Sequence, residues 1–396
     1  MRIFKHQVYG VQFWLLCCSS FLFFSSFNMI IPELPNYLTS LGGEEYKGLI
    51  IALFTLTAGL SRPFSGKLAD RIGRVPMMVF GAVVCFACGF LYPVLSSVAG
   101  FLFLRFVHGF STGFQPTGTA AYMADIVPMQ RRGEAMGLLG LCGSLGMAAG
   151  PAAGATIALY FSLDVMFYAS SGVAMLSLLV LGRIKETLPA PEPFRLGLLK
   201  ISRHEVFEPR VLAPSVVMLL TAFSFGVMLT IIPDFSEYLG MTNKGMFFTV
   251  FTVASLAVRL LAGRASDRYG RVLVLRLATF TLMLSMVCIG LATSPTGLLL
   301  AAVLFGIGNG MNSPTVFAWT VDLSHEKHRG WAVATMYIAL DIGIGLGALL
   351  SGWIYGNNPA MIPVVFWMGA ALSLGAFLYL YSSPARALGK ARFSNP

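Results

Sequence analysis

Apolar residues occur in long blocks along this chain, and polar residues gather in the short segments between the blocks. A transmembrane helix needs about 20 consecutive, mostly apolar residues. Each block therefore predicts one membrane-spanning helix, bounded by clusters of Pro, Gly and charge. The pattern predicts twelve spans, at residues 12–40, 47–69, 75–95, 99–125, 133–160, 164–183, 211–240, 245–267, 272–292, 297–322, 330–355 and 361–382.

The composition indicates an integral membrane protein. Of the 396 residues, 56% are hydrophobic and 11% are charged, and the mean hydropathy is +0.76. Soluble domains carry about 25% charged residues. Twelve spans use roughly 240 positions, which leaves no room for a soluble catalytic domain.

The basic residues are distributed unevenly between the predicted loops. If the N-terminus is cytoplasmic, 24 of the 27 Lys and Arg lie in inward loops or their flanks, a count that includes Arg62 and Arg259. Lys47 and Lys244 lie in outward loops, and Arg105 lies inside a span. Because cytoplasmic loops carry an excess of Lys and Arg, we expect a multi-pass protein of the plasma (inner) membrane with both termini in the cytoplasm. This bias accounts for the net charge of +10 without a nucleic-acid partner.

Reporter fusions test this orientation. A reporter that is active only in the cytoplasm is expected to give opposite signals after residue 43, in an outward loop, and after residue 196, in an inward segment. A fusion after residue 128, in another inward loop, is the control and should match the fusion at 196. Equal signals at 43 and 196 would refute the orientation.

One segment near the middle of the chain is too polar to cross a membrane. Between positions 183 and 210 lie four prolines and six basic residues. The sequence therefore predicts an N-terminal six-helix bundle at 1–183, a cytoplasmic linker at 184–210 and a C-terminal six-helix bundle at 211–396. Residues 196–207 are either a short interfacial helix or a solvated part of the linker.

The two predicted halves are copies of each other. Residues 61–75 and 258–272 align at a shift of 197 residues, which matches Arg62 with Arg259 and Asp70 with Asp267. Near the first span the shift becomes 201, so that residues 30–38 match 231–239. Two halves in the same orientation are related by a pseudo-two-fold axis along the membrane normal, and such transporters bind substrate between the halves near mid-membrane. This all-α duplication favours transport by alternating access.

Several motifs carry a resemblance to a known family. The pattern from Gly66 to Arg74, with its second copy ending at Arg271, resembles the signature loop of the major facilitator superfamily. Residues 105–113 resemble the fourth-span motif of proton-coupled members, with Arg105 at the motif arginine and His108 where many relatives carry Gln. Residues 185–191, KETLPAP, resemble the drug:proton antiporter branch. The resemblance covers essentially the whole chain and implies the major facilitator fold, twelve helices in two six-helix bundles.

A glycine-rich stretch in the fifth span resembles the antiporter motif of this family. Its key positions are Gly146, Gly150, Pro151 and Gly154, whereas Ala155 departs from the usual second glycine. Small residues let helix backbones approach closely, and a proline permits a bend. The resemblance implies that this bend faces the other half and opposes leakage; tight helix packing is the alternative.

The signature loop implies a cytoplasmic gate. By resemblance, Asp70 faces the start of the eleventh span near Arg329 and Gly330, where a carboxylate meets the positive end of a helix dipole. Positive-inside topology with surface ion pairs is the alternative interpretation. The candidate gating residues are Gly66, Asp70, Arg71, Gly73, Arg74, Asp267, Arg268 and Arg271.

Among the ionisable residues inside predicted spans, three stand out as candidates for proton coupling. Arg105 comes 20 residues before Asp125, about 30 Å along a helix, so we expect it in the outward half at a depth where it could meet Glu33. Asp341 comes 12 residues after Arg329, about 18 Å into the membrane, and is the most deeply placed acid. A carboxylate in a poorly hydrated site can alternate between protonated and ionised forms. The alternatives are a polar group satisfied by neighbouring helices for Asp341 and a solvated mouth residue for Glu33.

The substrate is expected to lie between the halves. The 32 Phe and 20 Met suit amphipathic compounds. Asn28 takes the place where several antiporters of this family carry an acid, one turn before the first-span proline. The candidate cavity residues are Asn28, Phe110, Phe114, Gln115, Asn309, Asn312 and Trp319.

These features predict a monomeric, proton-coupled antiporter that exports a small organic molecule, either a drug-like compound, a sugar or a metallophore-type metabolite. An uptake symporter or facilitator on the same fold, and a sensor that no longer transports, remain alternatives. No nucleophile, base and oxyanion group can be assembled, so we expect no enzyme. All six cysteines fall in apolar runs, so we expect no disulfide, metal or cofactor.

Overall fold

The computed structural model describes residues 9–128, 132–200, 208–324 and 329–381, and these residues form twelve long helical segments. The first segment is interrupted: Val11–Ile30 continues through a 3-10 turn, Ile31–Glu33, into Leu34–Ser40. In chain order the helices are α1 (Val11–Ser40), α2 (Lys47–Arg71), α3 (Arg74–Leu91), α4 (Val98–Ile126), α5 (Arg132–Tyr160), α6 (Leu163–Leu181), α7 (Leu212–Tyr238), α8 (Met246–Tyr269), α9 (Arg271–Gly290), α10 (Pro295–Leu323), α11 (Arg329–Tyr355) and α12 (Ile362–Tyr379).

Each predicted span corresponds to one of these helices. The largest difference is at the end of the third span, predicted at residue 95 and observed at Leu91. Pro93 follows closely; proline lacks a backbone N–H and so cannot donate the next helical hydrogen bond. The apolar run alone did not reveal this stop.

Ten of the described helices are long and apolar enough to cross a membrane, and α8 makes eleven if its two parts, Met246–Arg259 and Leu261–Tyr269, count as one bent span. The helix outside this group, α4, carries Arg105, His108 and Gln115 within its length. Those side chains are buried against other helices, so burial in protein compensates for the polarity of α4.

The helices of each half pack in the same arrangement. In the first half α1 contacts α5 and α6, α2 contacts α4, and α3 contacts α4 and α6; in the second half α7 contacts α11 and α12, α8 contacts α10, and α9 contacts α10 and α12. Every major contact of the first half thus recurs six helices later. The principal contacts between the halves are α2 with α11 and α5 with α8.

The halves approach closely at two glycines near the α1–α2 and α7–α8 connections. A Cβ placed on Gly48, at the start of α2, would lie 3.2 Å from the Cα of Gly352 in α11. A Cβ on Gly245, just before α8, would overlap the carbonyl oxygen of Pro151 in α5. Because only glycine permits such backbone contacts, these positions hold the two halves together at this end of the helices.

Candidate functional site

An ion pair joins the two halves at the α2–α11 contact. The Arg62 Nε donates to Asp341 Oδ2 at 2.5 Å, and Arg62 Nη2 donates to Asp341 Oδ1 at 3.3 Å. The two side chains are only 13% and 7% exposed. A bidentate guanidinium–carboxylate contact is directional and strong, and burial reduces screening by water. Asp341 therefore has a specific charged partner on the opposite half.

Two neighbours shape this ion pair. Tyr337, one helical turn before Asp341, lies under the guanidinium, with Arg62 Cζ 4.6 Å from its ring centroid. A Cβ on Gly59 of α2 would lie 3.2 Å from the Asp341 Cβ. The cation–π contact adds to the attraction, and the glycine lets α11 approach α2 closely enough for the ion pair.

Arg62 and Arg259 lie well inside their helices. The charge count places them in inward flanks, but the predicted spans 47–69 and 245–267 already contain them, and α2 and α8 likewise enclose them and continue to Arg71 and Tyr269. Arg62 lies nine residues before the end of α2, about 14 Å inside the helix. The sequence analysis missed both arginines as site residues, although the 197-residue repeat had already matched them.

Arg259 occupies the equivalent place at the α5–α8 contact. Its Nη1 donates to the Ser144 Oγ of α5 at 3.0 Å. The Nε of Arg259 is buried and has no hydrogen-bond partner. Each contact between the halves thus contains one of the two repeat-related arginines, and among the described side chains Arg62 has a carboxylate partner whereas Arg259 has a serine.

Two ion pairs, Lys47–Asp234 and Lys244–Glu33, here called the outer ion pairs, connect the halves near the α1–α2 and α7–α8 connections. Lys47 Nζ lies 2.5 Å from Asp234 Oδ2, and Lys244 Nζ lies 3.9 Å from Glu33 Oε2. The lysines match at the 197-residue shift and the acids match at the 201-residue shift. Each acid therefore pairs with the lysine of the opposite half. Lys244 also contacts Glu237 of its own half at 2.6 Å.

Reversing one charge in the outer ion pairs is expected to open the outward side. In Lys47→Asp the side chain would repel Asp234, so hydrogen exchange at the start of α2 and the end of α11 should become faster. The charge swap Lys47→Asp with Asp234→Lys is the matched control and should restore slow exchange. Unchanged exchange in the single variant would contradict this role of the ion pair.

Arg105 lies inside the first half and does not pair with Glu33. Its Nε donates to the Ile50 carbonyl at 2.8 Å, its Nη1 donates to the Tyr92 hydroxyl at 3.2 Å, and its Cζ lies 4.6 Å from the Phe54 ring centroid. The expected meeting of Arg105 with Glu33 is therefore wrong, because backbone and aromatic groups of α2 and α3 satisfy the guanidinium. Arg105 joins helices within one half.

His108 extends this buried network. Its Nδ1 lies 3.2 Å from the Tyr92 hydroxyl, and its Nε2 lies 3.4 Å from the Cys85 Sγ. Each imidazole nitrogen thus has a neighbour of its own, and the side chain is fully buried. The residue that departs from the family motif, His108, is accommodated by polar partners on α3.

The signature-loop residues form two similar clusters at the ends of α2 and α8. Arg74 contacts Asp70 at 3.3 Å and Asp125 at 3.0 Å. In the second half, Arg271 contacts Asp267 at 2.5 Å and Asp322 at 3.0 Å. The side chain of Asp70 is 71% exposed. The side chains at positions 329–331, where the resemblance places the partner of Asp70, lie outside the described residues.

The other signature-loop residues have separate surroundings. Arg71 contacts Glu192 of the linker at 2.8 Å. Arg268 lies over the Tyr269 ring, with its Cζ 5.4 Å from the ring centroid. A Cβ at Gly66 would meet open space. Gly73 has a φ of 137°, a conformation that favours glycine.

The Glu186 carboxylate caps the N-terminus of α3. The sequence alone did not predict this contact. Its carboxylate accepts hydrogen bonds from the backbone N–H groups of Arg74 at 3.1 Å and Val75 at 2.9 Å. Partial burial would raise the pKa of this carboxyl, but the backbone N–H donors outweigh burial and hold the pKa below its ordinary value. A carboxylate at a helix N-terminus also interacts favourably with the helix dipole. The KETLPAP segment thus stabilises the signature loop.

Asp70→Asn is expected to impair transport more than folding. A surface ion pair is worth only about 0–1 kcal/mol, so loss of the Arg74 contact should leave expression and the melting temperature nearly unchanged. A contact that forms in one transport state only would bias the equilibrium between states. The measurement compares initial transport rate with melting temperature, and Glu192→Gln is the control. A fully active Asp70→Asn protein would leave only the topological role.

The antiporter-motif glycines face α1 of their own half. A Cβ on Gly146 would lie 2.5 Å from the Phe21 carbonyl oxygen, and a Cβ on Gly150 would lie 2.5 Å from that of Ser25. A Cβ on Gly154 would overlap the carbonyl oxygen of Met29. These glycines therefore form a close α1–α5 contact. Backbone carbonyls of the motif face the other half: the Pro151 oxygen meets Gly245, and the Ala148 oxygen accepts a hydrogen bond from the Thr249 hydroxyl at 2.9 Å.

Most of the candidate cavity residues lie inside one half. Phe110 and Phe114 pack against α2, α3 and Leu198 of the linker, so their assignment to a central cavity is wrong. Gln115 packs against Gly81 of α3, and neither of its amide atoms has a partner. Apolar packing between neighbouring helices explains the positions of the two aromatic rings.

The remaining candidate cavity residues differ in their hydrogen-bond partners. Asn28 donates to the Phe24 carbonyl at 2.7 Å, within its own helix. Asn312 donates to the Thr221 hydroxyl at 2.9 Å, and its Oδ1 is without a partner. Trp319 is 2% exposed with an unpartnered Nε1, and Asn309 is partly buried.

Comparison with known sequences agrees with the family resemblance that the motifs carry. The sequence profile described as "Major Facilitator Superfamily" matches residues 16–247 and 214–395. "Uncharacterized MFS-type transporter YhhS" of Escherichia coli (strain K12) is 25% identical over 373 residues, which cover 91% of this chain and 89% of that protein. "Multidrug resistance protein MdtG" of Salmonella heidelberg (strain SL476) is 28% identical over 387 residues, 94% of each chain.

Solved structures share the fold. The human organic anion transporter MFSD10 (TETRAN) superposes with a TM-score of 0.72 at 19% identity, covering 93% of this chain and 98% of that chain. A D-xylose-proton symporter superposes with a TM-score of 0.75 at 18% identity, covering 94% of this chain and 98% of that chain. At these identities the likeness establishes the arrangement of helices alone.

Proposed function

Because the chain belongs to the Major Facilitator Superfamily, and is thus a membrane transporter rather than an enzyme, we propose that it is a proton-coupled antiporter that exports a small organic molecule. The observation that carries this proposal is the buried Arg62–Asp341 ion pair between the halves. It places a titratable carboxylate on the contact that must rearrange when the transporter changes state.

Protonation of Asp341 supplies the coupling step. The ionised carboxylate is attracted to Arg62 and holds α11 against α2. A neutral carboxyl retains hydrogen-bonding capacity but loses the charge attraction, so the free energy of the contact between the halves falls. Protonation therefore favours separation at this contact, and deprotonation favours its return. Proton binding and conformation are linked through one side chain.

The outer ion pairs fit the same cycle. In this conformation Lys47–Asp234 and Lys244–Glu33 hold the outward ends together, and substrate release to the outside requires both to break. Glu33 and Asp234 are then positioned to meet outside protons once the outward side opens. Asp341 lies deeper, so we assign the principal coupling role to Asp341 and a secondary role to Glu33, with Arg105 supporting the first half from within.

Export is supported by the relatives and by the motif resemblance. Proteins named for multidrug resistance match most of this chain, and residues 146–154 follow the antiporter motif. A bacterial strain that lacks its own efflux pumps tests the proposal directly. Expression of this chain is expected to protect that strain from at least one compound in a panel of cationic, neutral and anionic antibacterial compounds.

The protective compound then reports the direction of proton movement. In proteoliposomes, efflux of the compound is expected to acidify the compartment that the compound leaves, because an antiporter moves protons the opposite way. An empty vector and an Asp341→Asn variant are the controls. Movement of protons in the same direction as the compound would establish a symporter and overturn the proposal.

A further inference from the structure

The two contacts between the halves are built from equivalent positions that carry different residues. The 197-residue shift places Arg62 on Arg259, Tyr337 on Gly140 and Asp341 on Ser144. At the α2–α11 contact, the tyrosine ring and the carboxylate both surround the arginine. At the α5–α8 contact, glycine and serine take their places. At these equivalent positions α5 therefore supplies neither an aromatic ring nor an anion, and Tyr337 of α11 also interacts electrostatically with Arg259.

The surroundings of Arg259 agree with this difference. Its Nη1 lies 3.8 Å from the place where a Cβ on Gly140 would be, and no other atom lies within 4 Å of that place. Its Nη1 bonds to Ser144 and its Nε has no partner. The side chain is partly buried rather than sealed. A Cβ added at Gly140 would thus be in van der Waals contact with a guanidinium that still has donors to offer.

The charges between the halves do not balance at this depth. Across the part of the chain that the structure describes, Arg62 pairs with Asp341, whereas no carboxylate pairs with Arg259. A charge within a membrane protein is costly unless it is paired, and such residues commonly mark substrate pathways. A ligand that carries a negative charge would remove that cost.

From this comparison we propose that Arg259, with Ser144 and Gly140, binds the carboxylate of an aromatic organic acid. The carboxylate takes the place equivalent to Asp341, where the guanidinium offers a forked set of donors. The aromatic group takes the place equivalent to the Tyr337 ring. This inference rests on the proposed transport function and narrows its substrate to aromatic carboxylates.

Binding to the purified full chain tests the site without transport. Tritiated 2-naphthoate is the probe, and unlabelled 2-naphthamide, which has nearly the same shape without the charge, is the matched competitor. We expect 2-naphthoate to bind saturably and the amide to compete at least about tenfold more weakly, because hydrogen bonds to charged groups are stronger than those between neutral groups.

Three substitutions separate charge from shape. Arg259→Gln is expected to weaken 2-naphthoate binding about 10- to 100-fold. Ser144→Asp should weaken it similarly, because the new carboxylate would pair with Arg259 as Asp341 pairs with Arg62. Ser144→Ala removes one hydroxyl and leaves the charge free, so its effect should stay below about tenfold. Arg183→Gln, an exposed arginine after α6, is the control.

Each contrary result is decisive. Equal competition by the acid and the amide, no saturable 2-naphthoate binding by the unmodified chain, or unchanged affinity in Arg259→Gln or Ser144→Asp would overturn the proposed site. The comparison of acid with amide needs no variant, so a misfolded substitution does not weaken the test. If these results disprove the site while proton coupling through Asp341 is intact, the proposed ligand class is wrong and the proposed antiporter function is unaffected.

Discussion

Asp341→Asn is expected to abolish substrate export driven by a pH gradient while preserving downhill substrate exchange. Asparagine keeps the size and hydrogen-bonding capacity of the side chain but cannot bind and release a proton. The protein could still alternate between states with substrate bound, because alternation itself does not require a proton on residue 341. The measurement is uptake of the protective compound into inverted proteoliposomes, with and without an imposed gradient. Substrate-induced proton release in detergent should also disappear.

A second variant distinguishes coupling from stability. Asp341→Asn leaves the buried Arg62 without its partner, which costs up to about 3–5 kcal/mol. The double variant Arg62→Gln with Asp341→Asn removes both charges, so its melting temperature should recover while gradient-driven export stays absent. If the double variant exports against a gradient, Asp341 is a structural residue only.

Glu33→Gln is the matched comparison for the coupling role. Glu33 lies near the α1–α2 connection and faces Lys244 at 3.9 Å, so neutralising it should shift the pH dependence without abolishing export. Normal gradient-driven export by Asp341→Asn, together with its loss in Glu33→Gln, would move the coupling site to Glu33.

Gly154→Val is expected to lower the stability of the protein sharply. A Cβ at this position would overlap the Met29 carbonyl oxygen of α1. This oxygen belongs to the backbone of a packed helix, so it cannot move away by a rotamer change as a side-chain atom could. Overpacking of this kind typically costs about 1–3 kcal/mol, and separation of α1 from α5 would add to the cost. The measurements are the yield of monodisperse protein and its melting temperature.

Gly137→Val is the matched control for this prediction. Gly137 lies in the same helix, and a Cβ there would meet no atom within 4 Å. Both variants replace a helical glycine and add the same isopropyl group, so they differ only in surroundings. Equal stability of the two variants would show that the α1–α5 contact is not tightly packed, and would leave the motif with a gating role alone.

The sequence by itself determined the helices and their duplication. Spans are visible because each needs about 20 apolar residues, which is a local property of the chain. The repeat is visible because Gly66–Arg74 and its second copy retain the same spacing. Asp341 was also identifiable from sequence, since its distance from the start of the helix fixes its depth.

Only the tertiary structure decided which residues meet. Arg62 and Asp341 are 279 positions apart, and no local pattern relates them. Phe110 and Phe114 have the right depth for a central cavity, but the rotation of α4 turns them towards α2 and α3. Arg105 was expected near Glu33 on depth alone, and the positions of Tyr92 and Ile50 direct it elsewhere. Depth follows from distance along one helix, whereas the partner of a side chain depends on how separate helices rotate and pack against one another.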